Sequence, residues 1–99
     1  MREIKFLEAA KMELFHAAHY YAEQKSYLGD QFLDEVGCVL ELLVQNPKLG
    51  TREKLNTRKW PLKRFPYKVI YVFNNEEIIV AAIMHQSRRP DYWSGRLKS

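Results

Sequence analysis

A chain of 99 residues, 46% hydrophobic and 28% charged, is expected to form one globular domain spanning 1–99, because domains run to about 100 to 200 residues and disorder needs low hydrophobicity with high net charge. A large multi-domain enzyme is not expected, and a domain that buries only about 60 to 68% of its unfolded surface leaves little room for a deep active site, so function is expected at the surface. The formal charge of +4 is unevenly spread: residues 1–50 carry 5 basic and 8 acidic groups, and residues 51–99 carry 11 and 4, giving −3 and +7. The positive half either forms a basic face for an acidic partner, nucleic acid or protein, or consists of solvated basic strands.

In chain order, Arg2 to Phe6 alternates, with Ile4 and Phe6 on one face, and reads as a short strand. The period then changes. Ala10, Leu14, Ala17 and Tyr21 recur at helical spacing, so Glu8 to Glu23 is an amphipathic helix. Ser26 is the expected N-cap of a second helix whose stripe is Phe32, Val36, Val39 and Leu43, widened by Leu33, Leu40 and Leu42 and ended by Asn46-Pro47. The short link at Lys25 makes the two a hairpin. A polar loop to about Thr57 precedes three strands: Trp60 to Phe65, disturbed by Pro61; Tyr67 to Phe73; and Ile78 to Met84, the last two joined by Asn74-Asn75-Glu76 turn chemistry. Beyond His85 the chain is polar and basic, and Pro90 is placed to open a helical turn. The order is that of an α+β domain, a helical hairpin on one face of a small, mainly antiparallel sheet, with the uncovered face free for function. The single cysteine, Cys38, forms no internal disulfide and reads as a structural thiol in a reducing cytoplasm. No signal-peptide run and no apolar stretch of the roughly 18 residues a membrane span needs is present, so neither export nor membrane anchoring is expected.

Several segments together carry a resemblance: Leu28-Gly29-Asp30-Gln31-Phe32-Leu33; Asn46-Pro47 with Gly50; Lys63-Arg64-Phe65-Pro66-Tyr67-Lys68-Val69-Ile70-Tyr71; and His85-Gln86-Ser87-Arg88-Arg89-Pro90-Asp91-Tyr92-Trp93 with Arg96. Over nearly its whole length the chain resembles the RelE/ParE superfamily of toxins from type II toxin–antitoxin systems. The R-F-P-Y-K-V-I-Y stretch and the H-x-x-R-x-P-x-Y-W ending are similar to the ParE-like branch, whose members are often labelled plasmid stabilisation proteins. The resemblance implies a hairpin on a curved antiparallel sheet, a cytoplasmic prokaryotic protein, and a cognate antitoxin whose flexible segment wraps the toxin; no cofactor is expected, and DNA is expected to be contacted only through that antitoxin. It also implies one of two activities: inhibition of DNA gyrase by binding, as in ParE-like members, or ribosome-dependent cleavage of mRNA, as in RelE-like members.

The residues bear on that choice. RNA cleavage needs a proton acceptor, a proton donor and cations around the phosphorane. His85 is the acid/base candidate, Arg64, Lys68 and Arg88 are phosphate clamps, and Tyr92 is a base-stacking candidate. Each has a plainer reading: His85 as a hydrogen-bonded structural histidine, and Tyr92 and Trp93 as packing for a C-terminal turn. For a binding mechanism the candidates for target or antitoxin contact are Arg58, Arg64, Arg88, Arg89 and Trp93, although Arg58 and Arg64 suit pairing with acids on the helices equally well. The central strands offer only Lys68 where RelE-type enzymes resemble one another in several basic residues, so binding is the leading expectation and no catalytic residue is assigned. His16 and His19, three apart on the first helix, lack further ligands nearby, and no metal site is expected.

Overall fold

The structure, a computed structural model, describes residues 1–97. Strand β1 (Glu3–Phe6) leads into helices α1 (Glu8–Gln24) and α2 (Ser26–Gln45), followed by β2 (Thr51–Arg52), β3 (Arg58–Pro61), β4 (Tyr67–Phe73) and β5 (Glu77–His85). The five strands form one sheet in the order β1-β5-β4-β3-β2. All neighbours are antiparallel except β1, which lies parallel to β5 with Phe6 opposite Val80.

The hairpin turns on one extended residue, Lys25 (φ −153°, ψ 131°), too short a link for anything but antiparallel helices. Gly29 lets them close. A Cβ there would stand 2.8 Å from the Ala18 carbonyl oxygen and 2.9 Å from the Ala22 Cβ, so the helices meet at a distance only glycine permits. The expected α2 stripe is buried: Phe32, Val36, Val39 and Leu43 pack with Val69, Tyr71, Ile78, Val80 and Ile83 of the sheet. Each of these large side chains contributes about 1.5 to 3 kcal/mol by leaving water. An aromatic box closes one end of that core, with the Phe65 ring 4.8 Å from Tyr21 and 5.2 Å from Phe32, and Phe32 5.2 Å from Tyr67.

The nearly continuous apolar run of β5 has two causes. Both faces of the strand are covered, and its parity changes midway: Ile70 faces Ala82 while Tyr71 faces Val80, leaving Ala81 as the extra residue of a β-bulge. Before the bulge Ile78 and Val80 point to the helices; after it Ile83 does, with His85 two residues on and opposite Tyr67. A second, smaller core forms on the other face, where the C-terminal turn lays Trp93 on Ile70, Ala81, Ala82 and Met84. The sheet face expected to be open is therefore closed at its centre. The cause is Trp93, whose 1% exposure shows how much apolar surface the turn removes from water.

Several boundaries differ from expectation. The strand expected over 60–65 runs over Arg58–Pro61 instead; the following residues turn, with Leu62 N–H bonded to the Tyr67 carbonyl (2.9 Å), because Pro61 and Pro66 bring no N–H to a ladder. The segment after Gly50 to about Thr57, expected to be loop, contains β2 and the 3-10 turn Lys54–Asn56, and a further 3-10 turn, Pro47–Leu49, precedes it. Lys25 rather than Ser26 is the N-cap of α2, and no side chain caps that end. The C-terminal 3-10 turn covers Ser94–Leu97, four residues beyond Pro90.

At the far end of the hairpin, Tyr71 donates its hydroxyl hydrogen to the Pro47 carbonyl (2.6 Å) and accepts from Gly50 N–H (3.0 Å), fixing the chain as it leaves α2. Gly50 is required there, since a Cβ would lie 2.6 Å from that hydroxyl.

Candidate functional site

The basic residues of the second half do not form one cluster; the fold sends them to different places. Arg58 on β3 is spent on the scaffold. Its Nη1 donates to the carbonyls of Gly50 (2.8 Å) and Lys48 (3.1 Å), and its guanidinium stands 6.0 Å from the Phe73 ring centre. Lys68 on β4 lies on the face away from the helices, in a shallow hollow with Thr51, Lys59, Pro61 and Gln86. Lys59 there is already paired with Glu53 (3.1 Å). Arg89 is exposed, with its Nε 3.7 Å from Asp91.

Arg64 belongs to a groove between α2 and β3. The groove, about 420 Å³ in volume, is walled by Val39, Leu42, Trp60 and Pro61 and rimmed by Glu35, Lys63 and Arg64. Glu35 reaches from α2 to the turn after β3, accepting from Lys63 N–H and, at 3.4 Å, from the Arg64 backbone N–H and Nε. Arg64 thus has an acid on a helix as partner, and its side chain remains 57% exposed. Leu42 is exposed too. Cys38 also lines this groove and is exposed, which corrects the structural reading of the thiol: it sits one residue before Val39, outside the stripe of Phe32, Val36, Val39 and Leu43.

His85, Arg88 and Tyr92 do come together. With Glu13, His16 and Tyr20 of α1 and Tyr67 of β4 they surround a hollow of about 300 Å³ where α1 meets the C-terminal turn. The bulge in β5 is what turns His85 to this side. Ser87 donates its backbone N–H (3.0 Å) to His85 Nδ1, with the Ser87 hydroxyl 2.8 Å away, so the neutral ring carries its proton on Nε2 and presents a donor. Tyr92 does not offer a free ring: the Arg88 and Arg96 guanidinium carbons lie 4.0 and 5.1 Å from its centre. Trp93, expected among the contact residues, is buried and donates Nε1–H to the Pro90 carbonyl (2.9 Å). His16 and His19 part company, His16 lining the hollow and His19 facing Glu23 at 3.6 Å.

Beneath the hollow lies Glu13, a residue absent from the candidates that sequence motifs suggest. Glu13 accepts from Ile83 N–H (3.1 Å), from the Tyr92 hydroxyl (2.6 Å) and from both Arg96 terminal nitrogens (2.8 and 2.9 Å). Arg96 also donates to the Ala81 carbonyl (3.0 Å). Strand β1 ends at Phe6 opposite Val80, so the edge of β5 beyond Val80 has no strand beside it, and these two side chains satisfy its backbone in place of one. Burial pushes the Glu13 carboxyl up, but the bonds from Arg96, Tyr92 and Ile83 outweigh it and hold it below the ordinary value. Burial and the neighbouring Glu13 charge drive the Tyr92 hydroxyl well above its ordinary range, and Glu13 also raises Arg96. The sequence does carry a signal: Glu13 stands three residues after Ala10 and four before Ala17, an acid inside the apolar stripe. Glu35 sits likewise between Phe32 and Val39.

Among the described residues no helix is long and apolar enough to cross a membrane. No curated protein sequence matches the chain significantly. In fold it is similar to a solved chain of the chromosomal ParDE TA system from P. aeruginosa, with a TM-score of 0.61 at 19% identity over 86% of this chain and 96% of that one. The family model for the ParE toxin of type II toxin-antitoxin system, parDE, matches residues 4–90. That match takes in both helices and β2 to β5 entire, and it stops before Tyr92, Trp93 and Arg96. The order of elements, the sheet and this match agree, and the chain belongs to the ParE toxin family of type II toxin–antitoxin systems.

Proposed function

We propose that this ParE-type toxin acts in the cytoplasm by binding DNA gyrase, and that a cognate antitoxin neutralises it by occupying the α2–β3 groove. The observation that supports a binding mechanism is that two of the three candidate phosphate clamps, Arg64 and Lys68, stand apart from His85, Arg88 and Tyr92. A 2′-hydroxyl attack needs its acid, base and phosphate clamps around one phosphate, whereas here Lys68 is on the other sheet face and Arg64 is beside Glu35. Ser87 N–H occupies His85 Nδ1 and leaves the proton of the neutral ring on Nε2, which suits hydrogen-bond donation rather than proton abstraction. Purified toxin in excess is expected to block supercoiling by gyrase in vitro; full supercoiling with folded toxin present overturns the gyrase reading. Endonuclease activity of the RelE kind would instead appear as discrete cleavage sites in translated mRNA, lost on His85→Ala substitution.

For the antitoxin, the groove supplies what an amphipathic segment with acidic residues needs: apolar walls from Val39, Leu42 and Trp60, and two exposed cations on the rim. On this reading double-stranded DNA is contacted through the antitoxin. Reversing Arg64 and Lys63 to Glu is expected to weaken the toxin–antitoxin complex at least tenfold, because two attractive contacts become repulsive ones. An unchanged affinity moves the antitoxin elsewhere. Arg58 is a poor probe, since its loss frees the Lys48 and Gly50 carbonyls and disturbs the fold.

A further inference from the structure

The hollow between α1 and the C-terminal turn has features that the gyrase and antitoxin readings do not use. It continues past Tyr20, Tyr67 and His85 into a second hollow of about 330 Å³, so these three side chains form a ridge between two adjoining depressions. Tyr20 holds an edge-to-face contact with Tyr21 (5.3 Å, 75°), yet 59% of the residue is exposed; burying an aromatic ring would ordinarily be favourable. Arg88 is the second unspent group. Its guanidinium is held 4.0 Å from the Tyr92 ring centre, and among the described residues it has no carboxylate partner within ion-pair distance. The neighbouring acid is not available to it, because Glu13 is saturated by Arg96, Tyr92 and Ile83. His85 adds an Nε2–H donor held in orientation by Ser87.

We propose that this hollow binds a nucleoside phosphate, with the base against the exposed face of Tyr20 and the phosphate received by Arg88 and His85. Stacking on tyrosine is the interaction that a flat heteroaromatic base makes with any sequence, and a guanidinium fixed over a ring is a preorganised phosphate receptor. A free anion would use only the Arg88 end, and an apolar ligand would leave Arg88 and His85 without partners; a nucleoside phosphate engages both. The hollow's volume is at the small end of the range of about 300 to 1,000 Å³ found for ligand clefts, which fits one nucleotide. The second depression gives a strand room to continue. The nucleoside phosphate is therefore either a free nucleotide or the end of a single strand, and this site is independent of whether gyrase is the target.

The full-length toxin titrated against a short 3′-labelled, 5′-phosphorylated single-stranded oligonucleotide, followed by anisotropy, tests the site. Saturable binding is expected, displaced by a nucleoside monophosphate and not by the same concentration of inorganic phosphate. Tyr20→Ala and Arg88→Ala, both at exposed positions, are each expected to weaken it by about tenfold or more, whereas Lys11→Ala, which removes a charge elsewhere on α1, changes it less than about twofold. Much tighter, salt-sensitive binding of the oligonucleotide than of the mononucleotide identifies a strand as the source; equal affinities identify a free nucleotide. Absence of saturable binding, displacement by inorganic phosphate alone, or an unaltered affinity in Tyr20→Ala overturns the proposal.

Discussion

Glu13 of α1 and Glu35 of α2 both leave the helical hairpin to cap backbone N–H groups of the sheet region, and both meet an arginine, yet the two regions they hold differ in kind. Glu13 grips Arg96 through two bonds of 2.8 and 2.9 Å, with side-chain exposures of 18% for the acid and 22% for the base. Glu35 meets the Arg64 side chain through one 3.4 Å contact, and although the acid is 12% exposed the arginine is 57% exposed. Coulomb attraction gains strength where water is scarce and geometry is bidentate, and it fades where a long side chain is solvated. The first region is a fixed seam joining helix, strand edge and C-terminal turn. The second keeps its cations loose beside an apolar groove, which is what a surface needs if a partner's carboxylates are to exchange for its own.

The contrast can be broken most forcefully at Trp93, which seals the seam. Trp93→Ala is expected to cost about 3 to 5 kcal/mol through lost burial and the cavity left, visible as a large fall in the urea midpoint. A loss below about 1 kcal/mol would mean that the turn hardly packs on the sheet. Next comes Glu13→Gln, expected to cost about 2 kcal/mol, since Arg96 loses its counter-charge while still partly buried; a neutral substitution would erase the distinction from Glu35.

Acid sharpens the same point. The Glu13 carboxyl is held below its ordinary value of 4.5 in the fold, so its contribution is complete above that pH and is lost as pH falls through the lowered folded value. The stability gap between the native chain and Glu13→Gln, measured by urea unfolding, is therefore expected to shrink between about pH 7 and about pH 3. A constant gap would show that the charge of Glu13 does not stabilise the seam. The smallest effect is expected from Arg64→Ala, about 0 to 0.5 kcal/mol, as for other exposed ion pairs. A loss as great as that of Glu13→Gln would refute the idea of a loose rim.

Most of the architecture is legible in the amino-acid sequence, because each element announces itself through local physics. The stripe Phe32, Val36, Val39, Leu43 can only be the inner face of a helix, and Tyr67 to Phe73 with its Asn-rich turn can only be a strand paired with the next. The candidate site is much less legible. Arg58, Arg64, Lys68 and Arg88 look alike in a sequence, and what separates them is the neighbour each one meets: a carbonyl pair, a helix acid, the opposite sheet face, or a tyrosine ring. Glu13 and Arg96 are 83 residues apart, and no local pattern joins them.

By itself the sequence determined the hairpin, the strand-rich second half and the charge split of −3 against +7, since periodicity and composition act over a few residues at a time. The tertiary structure decided which charges remain free. The bulge at Ala81 turned His85 toward α1, Trp93 closed the face that looked open, and Glu13 neutralised Arg96 while leaving Arg88 unpaired among the described residues. Those outcomes depend on contacts between segments distant in the chain, where the energy of a charge is set by burial and by partners that only folding brings within reach.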